Sequence, residues 1–157
     1  MGGRMNKYHY TESGLDNIYL VNGFEIIKTE DGGEEIFIHD IHGLHKTIGK
    51  TLIFKKGILN GNEIKFIRTT LDLSQTSLGR LLGLDYQTIL GWEKNKSPIS
   101  KTADHFLRII FFSYINRENH CAVYDKINEI ADIDAVEAEV RKIELEEVDD
   151  EWRLAAA

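Results

Sequence analysis

The residues best suited to chemistry by type and spacing are His39, Asp40, His42 and His45, in the stretch IHDIHGLH. Three imidazoles and a carboxylate within seven residues form the densest set of potential metal ligands in the chain. His42 and His45, three residues apart, share a face if that segment is helical. The pattern departs from the His-Glu-x-x-His arrangement of zinc hydrolases, because no Glu stands where a general base is needed and Gly43 interrupts the helix start. No Ser-His-Asp or Cys-His constellation is evident elsewhere, and a single cysteine, Cys121, permits neither an intramolecular disulfide nor a thiolate zinc site. The alternative is structural: Asp40 or His42 caps a following helix, and His45 lies half buried against a sheet. On that reading the chain has no catalytic residues, binds no metal or cofactor, and is not an enzyme.

The elements that would position such residues are legible in part. With 157 residues, the chain is long enough for one compact domain, or a small domain with an appendage. A hydrophobic content of 42% with 10% aromatics is that of a globular protein. No apolar run approaches the roughly 20 residues needed to span a bilayer, and the start, MGGRMNKY, lacks the apolar core of a secretory signal. It reads as a leader ahead of a native start at Met5, and a cytoplasmic location with no membrane partner is expected. Asn17–Val21, Phe24–Lys28 and Glu35–Ile38 read as strands of a small antiparallel meander, with Asn22-Gly23 and Asp31-Gly32-Gly33 as its turns. From His42 to about Phe54, Leu44, Ile48 and Leu52 recur at helical spacing.

Four helices are expected in the middle of the chain. Asn62 is placed to cap one that carries Ile64, Ile67 and Leu71, and Ser74 caps a second that carries Leu78, Leu81 and Leu82 and stops at Gly83. Asp85 caps a third, with Ile89 and Trp92 facing inward, and Pro98 rules out its continuation. The fourth begins near Lys101, where Ala103, Phe106, Leu107, Ile110, Phe111 and Tyr114 form an almost unbroken apolar stripe. Beyond Asn116, Tyr124, Ile127 and Ala131 suggest a further helix. Lys142–Val148 and Glu151–Leu154, around Asp149-Asp150, suggest two strands or an exposed acidic tail. The fold class is therefore α+β. A small antiparallel β module plus helix (1–57) precedes an all-α domain (58–116) and an acidic C-terminal extension (117–157).

Charge follows the same division. The net charge of −7 conceals a segment from Lys55 to Asn116 with nine Lys/Arg against five Asp/Glu, and an extension from Arg117 with five against thirteen. A local basic surface matters more for phosphate binding than the global sum.

The two short helices around Gly83, joined by an expected four-residue turn, cannot stand alone in water and must pack on the first and fourth. That is the logic of a helix-turn-helix, whose second helix is presented to the major groove. The segment also resembles the Xre/Cro family of helix-turn-helix regulators, whose lambda-repressor-like fold is then implied for residues 60 to 114. The matching residues are Leu73-Ser74-Gln75 at the opening of the second helix, Leu82-Gly83 before the turn, and Ile89-Leu90-Gly91-Trp92-Glu93-Lys94-Asn95-Lys96 at the close of the third. Asn95 replaces the family's usual glycine, and Asn also tolerates positive φ. The layout is also similar to antitoxins that join an N-terminal zinc ribbon to a Xre-type domain, but the cysteines of that ribbon are absent here.

Position assigns the roles. Tyr86, Gln87 and Thr88 open the third helix and face base edges, with Gln87 suited to an adenine edge and the Thr88 methyl to a thymine methyl. The resemblance places another base contact one turn later, where this chain has Gly91, so more reliance on DNA shape is expected. Ser74 and Gln75 are placed to hold a phosphate, with backbone N–H groups assisting, and Lys94, Asn95 and Lys96 follow as backbone contacts. The expected function is a transcriptional regulator, a repressor, that binds a palindromic double-stranded DNA operator as a homodimer. Either the apolar helix from Lys101 to Tyr114 or the C-terminal segment could supply the dimer interface. The alternative is an antitoxin that neutralises a protein toxin and represses its own operon.

Overall fold

A computed structural model describes residues 7–118, 123–125, 127–128 and 145–154. Met5, Cys121, Ala131 and Lys142 therefore lie outside the described residues. The chain is α+β: three separate two-stranded antiparallel sheets accompany five α-helices among the described elements. In chain order these are β1 (Tyr8–His9), β2 (Tyr19–Leu20), β3 (Phe24–Lys28), β4 (Glu34–Ile38), α1 (Ile41–Ile53), α2 (Gly61–Thr70), α3 (Gln75–Leu82), α4 (Tyr86–Glu93), α5 (Lys101–Ile115), β5 (Leu145–Val148) and β6 (Glu151–Leu154). No helix among them is long and apolar enough to cross a membrane.

The expected meander is not formed. β3 pairs with β4, but β2 pairs with β1, a strand the sequence pattern did not mark. The reason is side-chain parity. A two-residue Asn22-Gly23 hairpin would set Val21 opposite Phe24 and Leu20 opposite Glu25, sending Leu20 and Phe24 to opposite faces. Both side chains belong on the core, where Leu20 is buried and Phe24 packs against it. Separating the two ribbons lets both point inward. Gly23 still turns the chain at φ +79°, and its carbonyl accepts the His39 N–H to close the β3–β4 ribbon.

The helices start where their caps dictate. Asp40, at φ +46°, caps α1 by accepting the Gly43 N–H at 3.1 Å. A Cβ on Gly43 would run into that carboxylate, so the glycine that looked like an interruption makes room for the cap. α2 is capped by Asn60, not Asn62 as expected. Asn60 Oδ1 accepts from the Glu63 N–H at 3.0 Å while Glu63 Oε1 accepts from the Asn60 N–H at 2.9 Å, a reciprocal capping box that Asn62 has no acidic partner to form. Ser74, Asp85 and Ser100 cap α3, α4 and α5.

One hydrophobic core joins the N-terminal segment and the five helices. Tyr10, Leu15 and Leu20 from the N-terminal segment share it with Ile48, Leu52 and Ile53 of α1 and with the buried faces of α2 to α5. The α5 stripe behaves as its spacing predicts, with Leu107, Ile110 and Phe111 fully buried. α1 approaches α5 closely, since Gly49 lies on the Phe111 ring. Among the described residues Glu63, Asp104 and Ser113 are the buried polar exceptions, and Asp104, 1% exposed, is the deepest. Its Oδ1 accepts the Leu59 N–H at 2.8 Å, and Arg108 stands beside it, Nε 2.9 Å from Oδ2. The same guanidinium donates to the carbonyls of Ile53, Lys55 and Gly57, tying down the connection between α1 and α2.

Candidate nucleic-acid interface

α3 and α4 are joined by three residues, Gly83 to Asp85, one fewer than expected. The Leu84 N–H donates to the Gly79 carbonyl and the Gly83 N–H to that of Arg80, with Gly83 at φ +70°. This six-to-one, five-to-two closure is the Schellman ending, which needs a left-handed residue just past the helix. The same closure ends α2, with Asp72 at φ +57°, and α4, with Asn95 at φ +55°. Asn95 therefore takes the left-handed conformation expected of it in place of glycine.

The close packing of α3 and α4 depends on Gly79, where a Cβ would come within 2.5 Å of the Leu84 carbonyl oxygen. α2 meets α4 in a similar way: a Cβ on Gly61 would lie 2.5 Å from the Trp92 carbonyl oxygen and 2.6 Å from that of Glu93. Behind the exposed face, Arg68 on α2 grips Glu93 on α4 with two bonds, Nε to Oε2 at 2.6 Å and Nη2 to Oε1 at 2.8 Å. Its Nη1 donates to the Leu73 carbonyl at 2.9 Å, and Gln75 Nε2 donates to Glu93 Oε1 at 3.3 Å. The planar fork of arginine suits this two-bond grip, which fixes the orientation of α4 against α2 and the start of α3. Motif spacing alone did not reveal this cluster. The signal that could have found it is an Arg and a Glu inside otherwise core-forming helices.

The residues expected at base edges and phosphates divide into two groups. Tyr86 and Gln87 are exposed at the first turn of α4, and Lys94 and Lys96 are exposed at its far end. The others are partly committed within the protein. Thr88 donates its hydroxyl to Asp85 Oδ1 at 3.0 Å. The backbone N–H of Thr88 and then its hydroxyl hold the Asp85 carboxyl below the usual carboxylate range. Ser74 Oγ accepts the Ser77 N–H at 3.0 Å as the α3 cap. Gln75 is half buried on the Glu93 carboxylate. Asn95 Oδ1 accepts the Gly61 N–H at 2.9 Å, so the remaining donor of its side chain is Nδ2. Arg80 on α3 donates from Nη2 to Asn128 Oδ1 at 3.0 Å.

The histidine cluster is spread among unlike partners. His45 Nε2 lies 2.8 Å from the Tyr10 hydroxyl, and its ring stands edge-on to Phe66 at 5.5 Å. Burial, and then the nearby His42, push its pKa below the ordinary imidazole value. His39 is exposed, with Nε2 3.8 Å from Glu25 Oε1, and Asp40 is occupied by the α1 cap. Among the described residues no three His, Cys, Asp or Glu side chains gather as a metal-ligand set.

The chain matches no protein-family model, no curated protein and no solved structure.

Proposed function

We propose that the chain is a sequence-specific double-stranded DNA-binding regulator of the helix-turn-helix type, a repressor that reads a palindromic operator as a homodimer. The observation that carries this reading is the α3–α4 pair. Two short helices meet at a tight glycine turn, are locked from behind by Arg68, Glu93 and Gln75, and leave Tyr86 and Gln87 exposed at the leading end of α4. A second helix presented end-first is the geometry that enters a major groove. Gln87 is the adenine reader, with Tyr86 and the Thr88 methyl beside it. The first turn of α3 at Ser74 and Gln75 takes one phosphate. Lys94, Lys96 and the Asn95 amide nitrogen take the next. Gly91 offers no side chain, so part of the discrimination comes from groove shape and deformability. Selection of bound DNA from a random library at moderate salt tests the reading. An enriched palindromic motif is expected, and failure to enrich any motif overturns it.

A second reading, an antitoxin that masks a protein toxin, is favoured by the β3–β4 ribbon. Ile26, Ile27 and Phe37 stand exposed on it, with Val21 just before. Large apolar residues on an exposed ribbon suit a protein partner. This reading expects a neighbouring gene whose product arrests growth. Co-expression of this chain would relieve the arrest, and a Phe37→Asp variant would not.

A further inference from the structure

A second apolar surface lies away from α4. Phe54 at the end of α1 is 67% exposed, Ile109 and Phe112 on α5 are 55% and 45% exposed, and Ile58 nearby is 45% exposed. The Phe54 and Phe112 rings meet edge-to-face with centroids 6.2 Å apart. Together with Ile53 and Arg108 they line a depression of about 260 Å³. A second depression shares Arg108 and is lined by Lys55, Lys101 and His105 beside Ile58. Lys50 stands one turn before Phe54, and Lys56 follows it, both exposed. The carboxylates against this surface are buried on its cations, Asp104 on Arg108 and Glu63 on Lys55, which leaves Lys50, Lys56 and Lys101 as its outer charges. The surface is thus apolar at its centre and cationic at its rim.

The C-terminal hairpin has the opposite character. β5 and β6 form a two-residue turn through Asp149 and Asp150, both left-handed at φ +54° and +63°, with Val148 opposite Glu151. Its ten residues carry five Asp/Glu against one Arg. It also holds Trp152, 70% exposed. A lone two-stranded hairpin is marginal in water and needs a surface to rest on.

We infer that the homodimer is built by exchange: the acidic hairpin of one copy docks on the cationic-rimmed Phe54–Ile109–Phe112 surface of the other, with Trp152 as its anchor. Charge decides between the possible contacts between copies. Packing this surface on its own equivalent would bring Lys50, Lys56 and Lys101 against themselves, and packing hairpin on hairpin would bring together two segments that each carry five Asp/Glu against one Arg. Only surface against hairpin pairs opposite signs, and doing so twice closes a two-fold dimer. Buried tryptophans are common hot spots of such interfaces. The inference rests on the homodimer of the proposed function but not on its DNA recognition.

Sedimentation of the full chain across a concentration series tests it. The wild type should be dimeric. Trp152→Ala should raise the dimer dissociation constant about 30-fold per contact, so about a thousandfold for two contacts. Ile109→Glu, a surface change, should do the same with unchanged circular dichroism. The decisive step is to mix the two variants. The Ile109→Glu copy still offers its tryptophan to the intact surface of the Trp152→Ala copy, so one contact returns and a heterodimer forms. A dimer that survives Trp152→Ala overturns the inference in favour of surface-on-surface pairing. A monomeric wild type overturns it in favour of docking within one chain or on another protein. Two monomeric variants that do not rescue each other also overturn it. DNA selection on the same samples reads separately, because loss of the dimer weakens binding while leaving the half-site motif unchanged.

Discussion

Replacing Arg68 with Met tests the buried lock behind α4. Arg68 and Glu93 are 12% and 4% exposed and share two short bonds, so neither charge is well hydrated. Arg68→Met keeps the aliphatic stem but leaves Glu93 with the longer Gln75 bond at 3.3 Å and removes the donor to the Leu73 carbonyl. Breaking one side of a buried pair costs about 3–5 kcal/mol, because the other charge stays buried and uncompensated. Against a total stability of about 5–15 kcal/mol that is a large loss. For a chain of this length it corresponds to a fall in Tm of about 10 °C. Urea unfolding followed by circular dichroism measures it, with the slope m expected to stay constant. The double variant Arg68→Met, Glu93→Leu should recover most of the loss, since an apolar pair of similar volume removes the stranded charge. If the single variant costs less than about 1 kcal/mol, or the double is as unstable as the single, the pair is not the buried lock described above. The double variant also isolates orientation: recovered stability with weakened DNA binding would show that the arginine fork sets the pose of α4.

Further outcomes follow from the same geometry. Gly79→Ala and Gly61→Ala should each lower the urea midpoint, because their Cβ atoms would meet backbone carbonyl oxygens at 2.5 Å, whereas Gly91→Ala meets only Ser97 Oγ at 3.4 Å and should raise it slightly through helix propensity. Burial lowers the His45 pKa in the fold, so the unfolded chain binds more protons between that lowered value and about 6.5. Stability should therefore be complete above about pH 6.5 and decline as pH falls through that window, and urea melts of His45→Gln should show a shallower decline. On the DNA side, Lys94→Ala should weaken binding to all sequences alike and flatten the log–log salt slope by about 0.9, and an unchanged slope counts against a phosphate contact. Gln87→Ala should cost about 1–3 kcal/mol on the selected operator and relax preference at one base pair, measured by titration of single-substitution sites.

The features legible in the sequence were those set within one helical turn. The α5 stripe, the caps Ser74 and Asp85, the left-handed stop at Gly83 and the tolerance of Asn95 all depend on neighbours three to five residues away, where 3.6-residue periodicity and cap chemistry act. Asn60 shows the limit even there. Two asparagines flank Gly61, and only the one three residues before Glu63 can close a capping box. The exposed pair Tyr86 and Gln87 was likewise readable from the turn that precedes it.

What the sequence by itself determined is therefore a set of helices, most of their ends, and which residues open α4. Only the tertiary structure decided the pairings between distant segments. β2 joins β1 instead of β3 because Leu20 and Phe24 must both reach one core, a parity condition that no local turn signal expresses. Gln75 and Asn95 read as phosphate contacts from position, yet their side chains are drawn onto Glu93 of α4 and the Gly61 N–H of α2, respectively. Arg108, unremarked on its helix, anchors three carbonyls more than fifty residues earlier in the chain. Buried donors and acceptors must find partners wherever packing brings them together, and that packing is set by the whole core at once.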